Sequence, residues 1–555
     1  RETLGLTAEQ HQVLKKTHRG FVRMGAALEG EAQARLIAIN ERLATLGTQF
    51  GQNVLKDESD WMMVIEEADL DGIPDDLRSA MAGIAKDRGH EGKYAVTASR
   101  SIVVPFLVSS TRRDLREKAF AAWTSRGENG GDSDNTEVIA ETLKLRAEKA
   151  KLLGFETFAE LKLDGTMAKT PEAVMELLET VWEKARTRAL EEAADIQELM
   201  SEDGINEPLK ASDWRHYAER IREQRFAYSD DETKPYLKLD NMIEASFWVA
   251  NKLFGLSFKP VEGVDWLHPD ARTWEVLNAD GSHQALFVAD YFARPSKRSG
   301  AWMSAIRMQS KLKGETPIIT NTMNFAKPSE GQAALISFDD ARTLFHEFGH
   351  ALHGMLSNVT YPSVAGTSVS RDFVELPSQL YEHWLTVPEV LNKFAVHYET
   401  DEPMPKDLLD KVLAAQTFNA GFDTVEYTSS ALVDMAYHQT PEAPDTPLAF
   451  EAETLEKLAM PDAMVMRHRS PHFLHIFSGD GYAAGYYSYM WSEVLDADAF
   501  KAFEETGDPF DPEMAAKLRD NIYSTGGTME PEDAYIGFRG KLPTPDAMIE
   551  GRGLA

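Results

Sequence analysis

Apolar residues recur every three to four positions through residues 31–52 and again through 171–200, set among many Glu, Arg and Ala. That period predicts amphipathic helices. Thr170-Pro171-Glu172 has the chemistry of a helix start: a capping hydroxyl, proline in the first turn, then an acid. Residues 126–134 (RGENGGDSD) read as a loop between helical stretches. Between about 255 and 340 the pattern changes. Residues 285–293 (ALFVADYFA) and 317–325 (PIITNTMNF) are aromatic and β-branched, bounded by Gly, Pro and Lys, and 335–338 is a third short apolar run. These predict a small sheet inside a helical protein. Asp339-Asp340 then opens a helix over 341–356, and helical patterning continues to the end. No internal repeat or low-complexity linker interrupts the chain.

Composition narrows the chemistry. The 555 residues include no cysteine, which excludes disulfides, thiolate metal sites, iron–sulfur clusters and cysteine nucleophiles. A metal here has to be held by His, Asp or Glu. Length alone suggests roughly three to four domain-sized units, though a large helical enzyme can run as one body. The balance of 58 Lys and Arg against 90 Asp and Glu gives a net charge of −32, which argues against nucleic-acid or anionic-membrane binding. No run of 18 apolar residues occurs; the stretch 102–108 is short and broken by Pro105, so no membrane-inserted helix is expected. The opening RETLGLTAEQ lacks a signal-peptide core. The expectation is that the native start precedes residue 1, and that the protein is cytoplasmic, with a periplasmic location the alternative.

His346-Glu347-Phe348-Gly349-His350 is the sharpest signal. Residues four apart share a helix face, so both imidazoles can grip one ion, and zinc suits a thiolate-free set. Glu347 is offset by about 100° around the helix, beside the ligand face, where a general base acting on water belongs. The pattern arises by chance in about 3 of 100 chains of this length and composition, so it needs support. His353 is on the same face but about 10.5 Å along the axis from His346, too far to share the ion. A third histidine ten residues after the first would fall at 356, which is Leu. The loop 358–370 instead leads into Arg371-Asp372-Phe373-Val374-Glu375-Leu376-Pro377-Ser378-Gln379, and can bring Glu375 back toward the ion. Asp372 and Gln379, one turn to either side, are candidates to orient a ligand histidine. Asp372 reads equally well as a helix N-cap.

A second cluster follows: His468, His472 and His475, then four tyrosines within eight residues. Hydroxyl and imidazole donors suit an oxyanion that develops during acyl transfer. Tyr482, Tyr486 and Tyr489 follow helical spacing and can share a face, with Tyr487 pointing elsewhere. Gly479, Gly481 and Gly485 suggest a loop able to close over substrate. An aromatic packing stripe is the alternative.

HEFGHALH followed by GTSVSRDFVELPSQ resembles the thimet-oligopeptidase family of zinc peptidases, with Glu375 placed 29 residues after His346. The likeness extends to 152–174, 234–258, 289–303 and 321–328, and covers most of the chain from about residue 95. Its wording is nearest the bacterial peptidyl-dipeptidase (dipeptidyl carboxypeptidase) branch, whose members are longer at the N-terminus. The resemblance implies His346, His350 and Glu375 as ligands of one Zn2+ and Glu347 as catalytic base. It implies His475, Tyr482, Tyr486 and Tyr489 as groups that bind substrate and stabilise the transition state, with His472 the neighbouring alternative to His475. It implies a mainly α, zincin-type ellipsoid of two lobes around a deep channel, with a small sheet beside the motif helix. The expected division is an N-terminal helical lobe over 1–165 and a catalytic region over 166–555.

The expected activity is zinc-dependent release of C-terminal dipeptides from short unstructured peptides by a monomer. An endo-acting oligopeptidase of the same family is the near rival, and a non-catalytic helical peptide-binding protein the distant one. Three weaker features remain. Residues 317–324 read either as an edge strand that pairs with a peptide or as an interior strand. Arg294, Lys297 and Arg298 are expected to be solvated surface charge, with capture of a substrate carboxylate the alternative. His383 and His397 are expected to be structural.

Overall fold

The computed structural model describes residues 4–264, 266, 268–293, 297, 300–328 and 331–555. They form two compact units. The first gathers the residues up to Phe21, Tyr228–Gln416 and Ser488–Gly551; the second gathers Val22–Ala227, Thr417–Tyr487 and Arg552–Ala555. The expected 165/166 boundary falls inside the second unit. The helices and strands that matter here are, in chain order, α1 (Gly30–Asp60), β1 (Met62–Ile65), β2 (Tyr94–Thr97), α2 (Thr136–Leu152), α3 (Pro171–Glu202) and α4 (Leu239–Phe254). Then come β3 (Ser257–Pro260), β4 (Arg272–Leu277), β5 (His283–Phe292), β6 (Trp302–Arg307) and β7 (Ile318–Phe325). The last are α5 (Phe338–Met355), α6 (Arg371–Val374), α7 (Leu376–Glu382), α8 (Ala420–Gln439) and α9 (Ser488–Thr506). The protein is mainly helical, and no helix among the described residues is long and apolar enough to cross a membrane.

In the second unit, α3 begins as its sequence predicts, with Thr170 accepting a hydrogen bond from the Ala173 N–H and Pro171 in the first turn. It packs tightly on α8: a Cβ at Gly421 would sit 2.4 Å from the Ala189 nitrogen. Buried Glu192 accepts from the Gly421 and Phe422 N–H groups at 3.1 and 2.9 Å, capping the start of α8 with a carboxylate. The antiparallel pair β1–β2 was not anticipated. Each strand has four residues, too few to show a period among helices, and long-range packing of Ile65 and Val96 against Met81 and Phe106 supports them.

The first unit holds a five-stranded sheet in the order β3-β4-β5-β7-β6. The β5–β7 pair is parallel and the other pairs are antiparallel. β7 therefore lies between two strands, so the edge-strand reading of 317–324 is wrong. The edge on that side is β6 (WMSAIR), whose alternation is too weak to announce a strand. Residues 335–338 are not a strand either: Leu335 makes one isolated bridge to Lys238, and Ser337 serves as the N-cap of α5. Lys297 corrects another expectation. Its side chain is only 4% exposed, and Nζ donates to the carbonyls of Phe292 and Met323 at 2.6 Å and to the Asp290 carboxylate at 2.9 Å. It ties β5 to β7 from within. Arg294 and Arg298 lie outside the described residues.

Candidate active site

Helix α5 carries the histidine motif and is locked by three features of its sequence. At its start Ser337 and Asp340 form a reciprocal capping box, each side chain accepting from the other's backbone N–H. In its middle Phe348 inserts among Phe247 of α4, Phe258 of β3, Phe287 of β5 and Tyr381 of α7, with ring centroids 5.4–5.7 Å apart. This fixes the rotation of the helix. Two glycines then permit close approach. A Cβ at Gly354 would meet Met303 and Ile319 of the sheet at 2.6 and 2.8 Å. A Cβ at Gly349 would lie 2.6 Å from the Pro377 carbonyl oxygen and 2.7 Å from the Ser378 Cα. The glycine inside the motif is thus what lets α7 press against α5.

That approach brings Glu375, at the junction of α6 and α7, to both histidines. Its Oε2 lies 3.0 Å from His350 Nε2 and 3.4 Å from His346 Nε2. The three donor atoms all lie within 4.8 Å of one another. Tetrahedral ligands with bonds of about 2.0–2.1 Å sit about 3.4 Å apart, so the set fits a metal ion in both spacing and donor chemistry. Burial pushes the Glu375 carboxyl up, but His350 and His346 outweigh it and hold it well below the usual carboxylate range. Burial pulls His346 down, and its bonds to Glu375 and Glu382 more than reverse this, raising it well above the ordinary value. The carboxylates of Glu375 and Glu382 thus surround the imidazoles with negative charge, which favours a cation. His353, refused as a ligand on distance, is fully buried and outside the trio.

The orienting partner of His346 is one that the spacing argument did not single out. Glu382 Oε1 accepts from His346 Nδ1 at 2.6 Å, leaving Nε2 free to coordinate. It stands two helical turns beyond Glu375, and that seven-residue spacing is its signal in the sequence. Gln379 instead donates to the Tyr489 backbone carbonyl at 3.2 Å, holding α9 beside the helix that follows Glu375. Asp372 is fully buried in the first turn of α6, whose N-cap is Ser370 rather than Asp372. Glu347 is 5% exposed, and its Oε2 has no hydrogen-bond partner among the described residues. Burial raises its carboxyl above the ordinary value against the opposing pull of His346 and His350. A buried carboxylate with one oxygen uncommitted and a raised proton affinity is the equipment of a general base.

The second unit holds the other expected group. His475 lies edge-on to Tyr482 and Tyr486, centroids 5.7 and 5.1 Å away, with His468 at 4.9 Å. His472 turns elsewhere, its Nδ1 3.5 Å from an Arg126 nitrogen. Burial, aided by Arg467, lowers His475 to about 4, so the ring is neutral at pH 7, and its Nδ1, without a hydrogen-bond partner among the described residues, is available to a ligand. The shared helical face expected for Tyr482, Tyr486 and Tyr489 is not present. α9 begins only at Ser488, and residues 483–487 are turns, with Ala484 at φ 50°. Tyr489 belongs to the first unit, while Tyr482 and Tyr486 belong to the second. His383 is bonded to Asp496 at 2.7 Å and stacked on Phe500.

Comparison with known proteins agrees with this geometry. Residues 106–554 match the family described as Peptidase family M3. The chain is 38% identical over 560 residues to the dipeptidyl carboxypeptidase of Salmonella typhimurium, covering 100% of this chain and 82% of that one. It is 37% identical over 563 residues to oligopeptidase A of Escherichia coli, covering 99% and 82%. To the thimet-like oligopeptidase of Dictyostelium discoideum it is 28% identical over 572 residues, covering 99% and 82%.

Proposed function

The chain belongs to peptidase family M3 and is a metallopeptidase; on that premise we propose that it is a zinc enzyme releasing dipeptides from the C-termini of short unstructured peptides. The observation that carries the metal assignment is the convergence of His346, His350 and Glu375 within 4.8 Å. When bound there, zinc supplies the Lewis acidity that makes water nucleophilic at neutral pH and polarises the scissile carbonyl. Glu382 fixes the His346 ring by accepting its Nδ1 proton. Glu347 takes a proton from the attacking water at its carboxylate and hands it to the leaving amine nitrogen. His475, Tyr482, Tyr486 and Tyr489 are assigned as neutral N–H and O–H donors to substrate and to the oxyanion. Asp372 and Gln379 are assigned to the support of the ligand shell, Gln379 through the Tyr489 backbone. β6, at one end of the strand order, is where an extended peptide would add to the sheet.

The dipeptide-releasing mode is favoured by the 38% identity to a dipeptidyl carboxypeptidase. The 37% identity to oligopeptidase A supports endo-cleavage nearly as well. A defined peptide and its C-terminal amide separate the two readings. The exo reading expects mass spectrometry to show sequential loss of C-terminal dipeptides from the free acid. It expects the amide to turn over about tenfold or more slowly, for want of a charge-assisted contact. Equal internal cleavage of both peptides would establish the endo-acting reading instead.

A further inference from the structure

The loop that carries Tyr482 and Tyr486 is held from beneath by a buried polar chain that the reaction itself does not use. Asp434, on α8, is fully buried. Its Oδ1 accepts from the Ala484 N–H at 2.8 Å, and its Oδ2 accepts from those of Gly485 and Tyr486 at 3.0 Å each. Three consecutive N–H groups converge on one carboxylate because Ala484 adopts a left-handed conformation, φ 50°. One turn along α8, His438 Nδ1 is 3.0 Å from Asp434 Oδ1 and 2.8 Å from its backbone carbonyl. The other ring nitrogen lies 3.1 Å from the Arg146 guanidinium. Since Arg146 can only donate, His438 Nε2 accepts, and Nδ1 carries the proton toward Asp434. Burial holds His438 below its ordinary value against the pull of Asp434, consistent with this neutral tautomer.

Arg146 closes the chain on the loop's other end. From α2, fully buried, it donates to the carbonyls of Ile476 at 2.5 Å and Gly479 at 2.9 Å, and Lys162 adds a bond to the Asp480 carbonyl at 2.6 Å. Its guanidinium lies between the rings of Phe158 and Phe477. On the far side, Tyr427 donates to the Tyr486 carbonyl at 2.5 Å. The segment is therefore gripped at 476–480 and at 484–486, with Tyr482 between the two grips and Gly481 in open space.

We propose that Arg146, His438 and Asp434 form a positioning relay that sets the spacing between His475 and the tyrosines at 482 and 486, so that both grips on the loop move as one. The proposal rests on the reading above that those tyrosines engage substrate. None of the three relay residues is a catalytic residue; they act through the backbone of the loop. Burying a cation, a neutral ring and an anion in one line is costly unless each polar atom is partnered. The partners here are loop carbonyls and loop N–H groups, so the energy of the relay is coupled to one loop geometry.

A double-mutant cycle on peptide turnover tests this. Tyr482→Phe, Tyr486→Phe, Asp434→Asn, and the combinations of Asp434→Asn with each tyrosine variant are compared with the parent zinc-loaded enzyme. In Asp434→Asn one acceptor becomes an amide that faces N–H groups. The expected result is a fall in kcat of about tenfold or more, with zinc content unchanged. Little further loss is expected on adding either tyrosine change, because the relay acts through those side chains. His438→Asn, which keeps the donor to Asp434 but drops Arg146, is expected to lose less, and it serves the same cycle if Asp434→Asn does not fold. Losses that multiply, or wild-type kcat in the relay variants, would overturn the relay while leaving the tyrosine assignment intact. Wild-type kinetics in both tyrosine variants would overturn the assignment of those residues, and the relay with it.

Discussion

Replacing Gly349 with alanine isolates the contact on which the metal site depends. The new Cβ would meet the Pro377 oxygen at 2.6 Å, the Ser378 Cα at 2.7 Å and the Tyr381 Cβ at 2.9 Å. Reaching the 3.4 Å of ordinary contact requires α7 to withdraw by about 0.8 Å. The first two atoms are backbone and cannot swing aside as a side chain can. Glu375 immediately precedes α7 and Glu382 ends it, so a shift of that size moves a ligand and an orienting group together. Metal–ligand distances tolerate only about 0.2 Å. Zinc affinity is therefore expected to fall about 10–100-fold. The metal-free protein is expected to lose about 1–3 kcal/mol from overpacking. Alanine's helix preference works the other way by about 0.5–1 kcal/mol, so the sign of the stability change is diagnostic. Zinc competition against a chromophoric chelator and urea unfolding of the apo-protein measure the two effects. A variant that binds zinc normally and is more stable than the parent would refute the close-packing argument.

Glu382→Gln keeps the shape of the His346 partner but removes its charge, and is expected to weaken zinc binding about tenfold; unaltered affinity by the same competition assay would show that His346 is oriented by something else. His353 is fully buried with neither ring nitrogen partnered among the described residues, and burial lowers it to about 3. Below pH 6.5 the unfolded chain takes up a proton that the folded ring refuses, so stability is complete above 6.5 and falls toward pH 3 by about 1.4 kcal/mol per unit. His353→Leu should flatten that part of the acid unfolding curve, and curves that superimpose from pH 6.5 to 4 would count against the burial argument. Gly421→Ala should destabilise the second unit, since its Cβ would meet the Ala189 nitrogen at 2.4 Å; a melting temperature at or above the parent's would show that α8 can slide on α3.

What could be read beforehand follows from the range of the forces involved. The motif helix, its two histidines and Glu347 were legible because metal chemistry demands particular residue types at a helical spacing. Thr170 announced α3 because a cap acts within three residues. Glu375 needed a loop of correct length, and its neighbour Glu382 needed the packing permitted by Gly349, which no local period reveals. Tyr482 and Tyr486 had helical spacing yet fold as turns, because a distant buried carboxylate, Asp434, captures the three N–H groups a helix would have used internally. Lys297 read as surface charge because only tertiary folding brings four oxygens around its ammonium group. β6 is not visible in the sequence because its burial does not alternate along the strand and its pairing with β7 is a tertiary contact.

The central claim is that His346, His350 and Glu375 hold one zinc ion at which Glu347 manages the proton. The most direct test is to measure zinc content and peptide turnover in one preparation each of the parent and Glu347→Gln. Both are expected to carry one zinc per chain, with cleavage confined to the parent and abolished by a chelator. A Glu347→Gln protein that cleaves at the parent rate, or a parent that cleaves after its zinc has been stripped, would contradict the account.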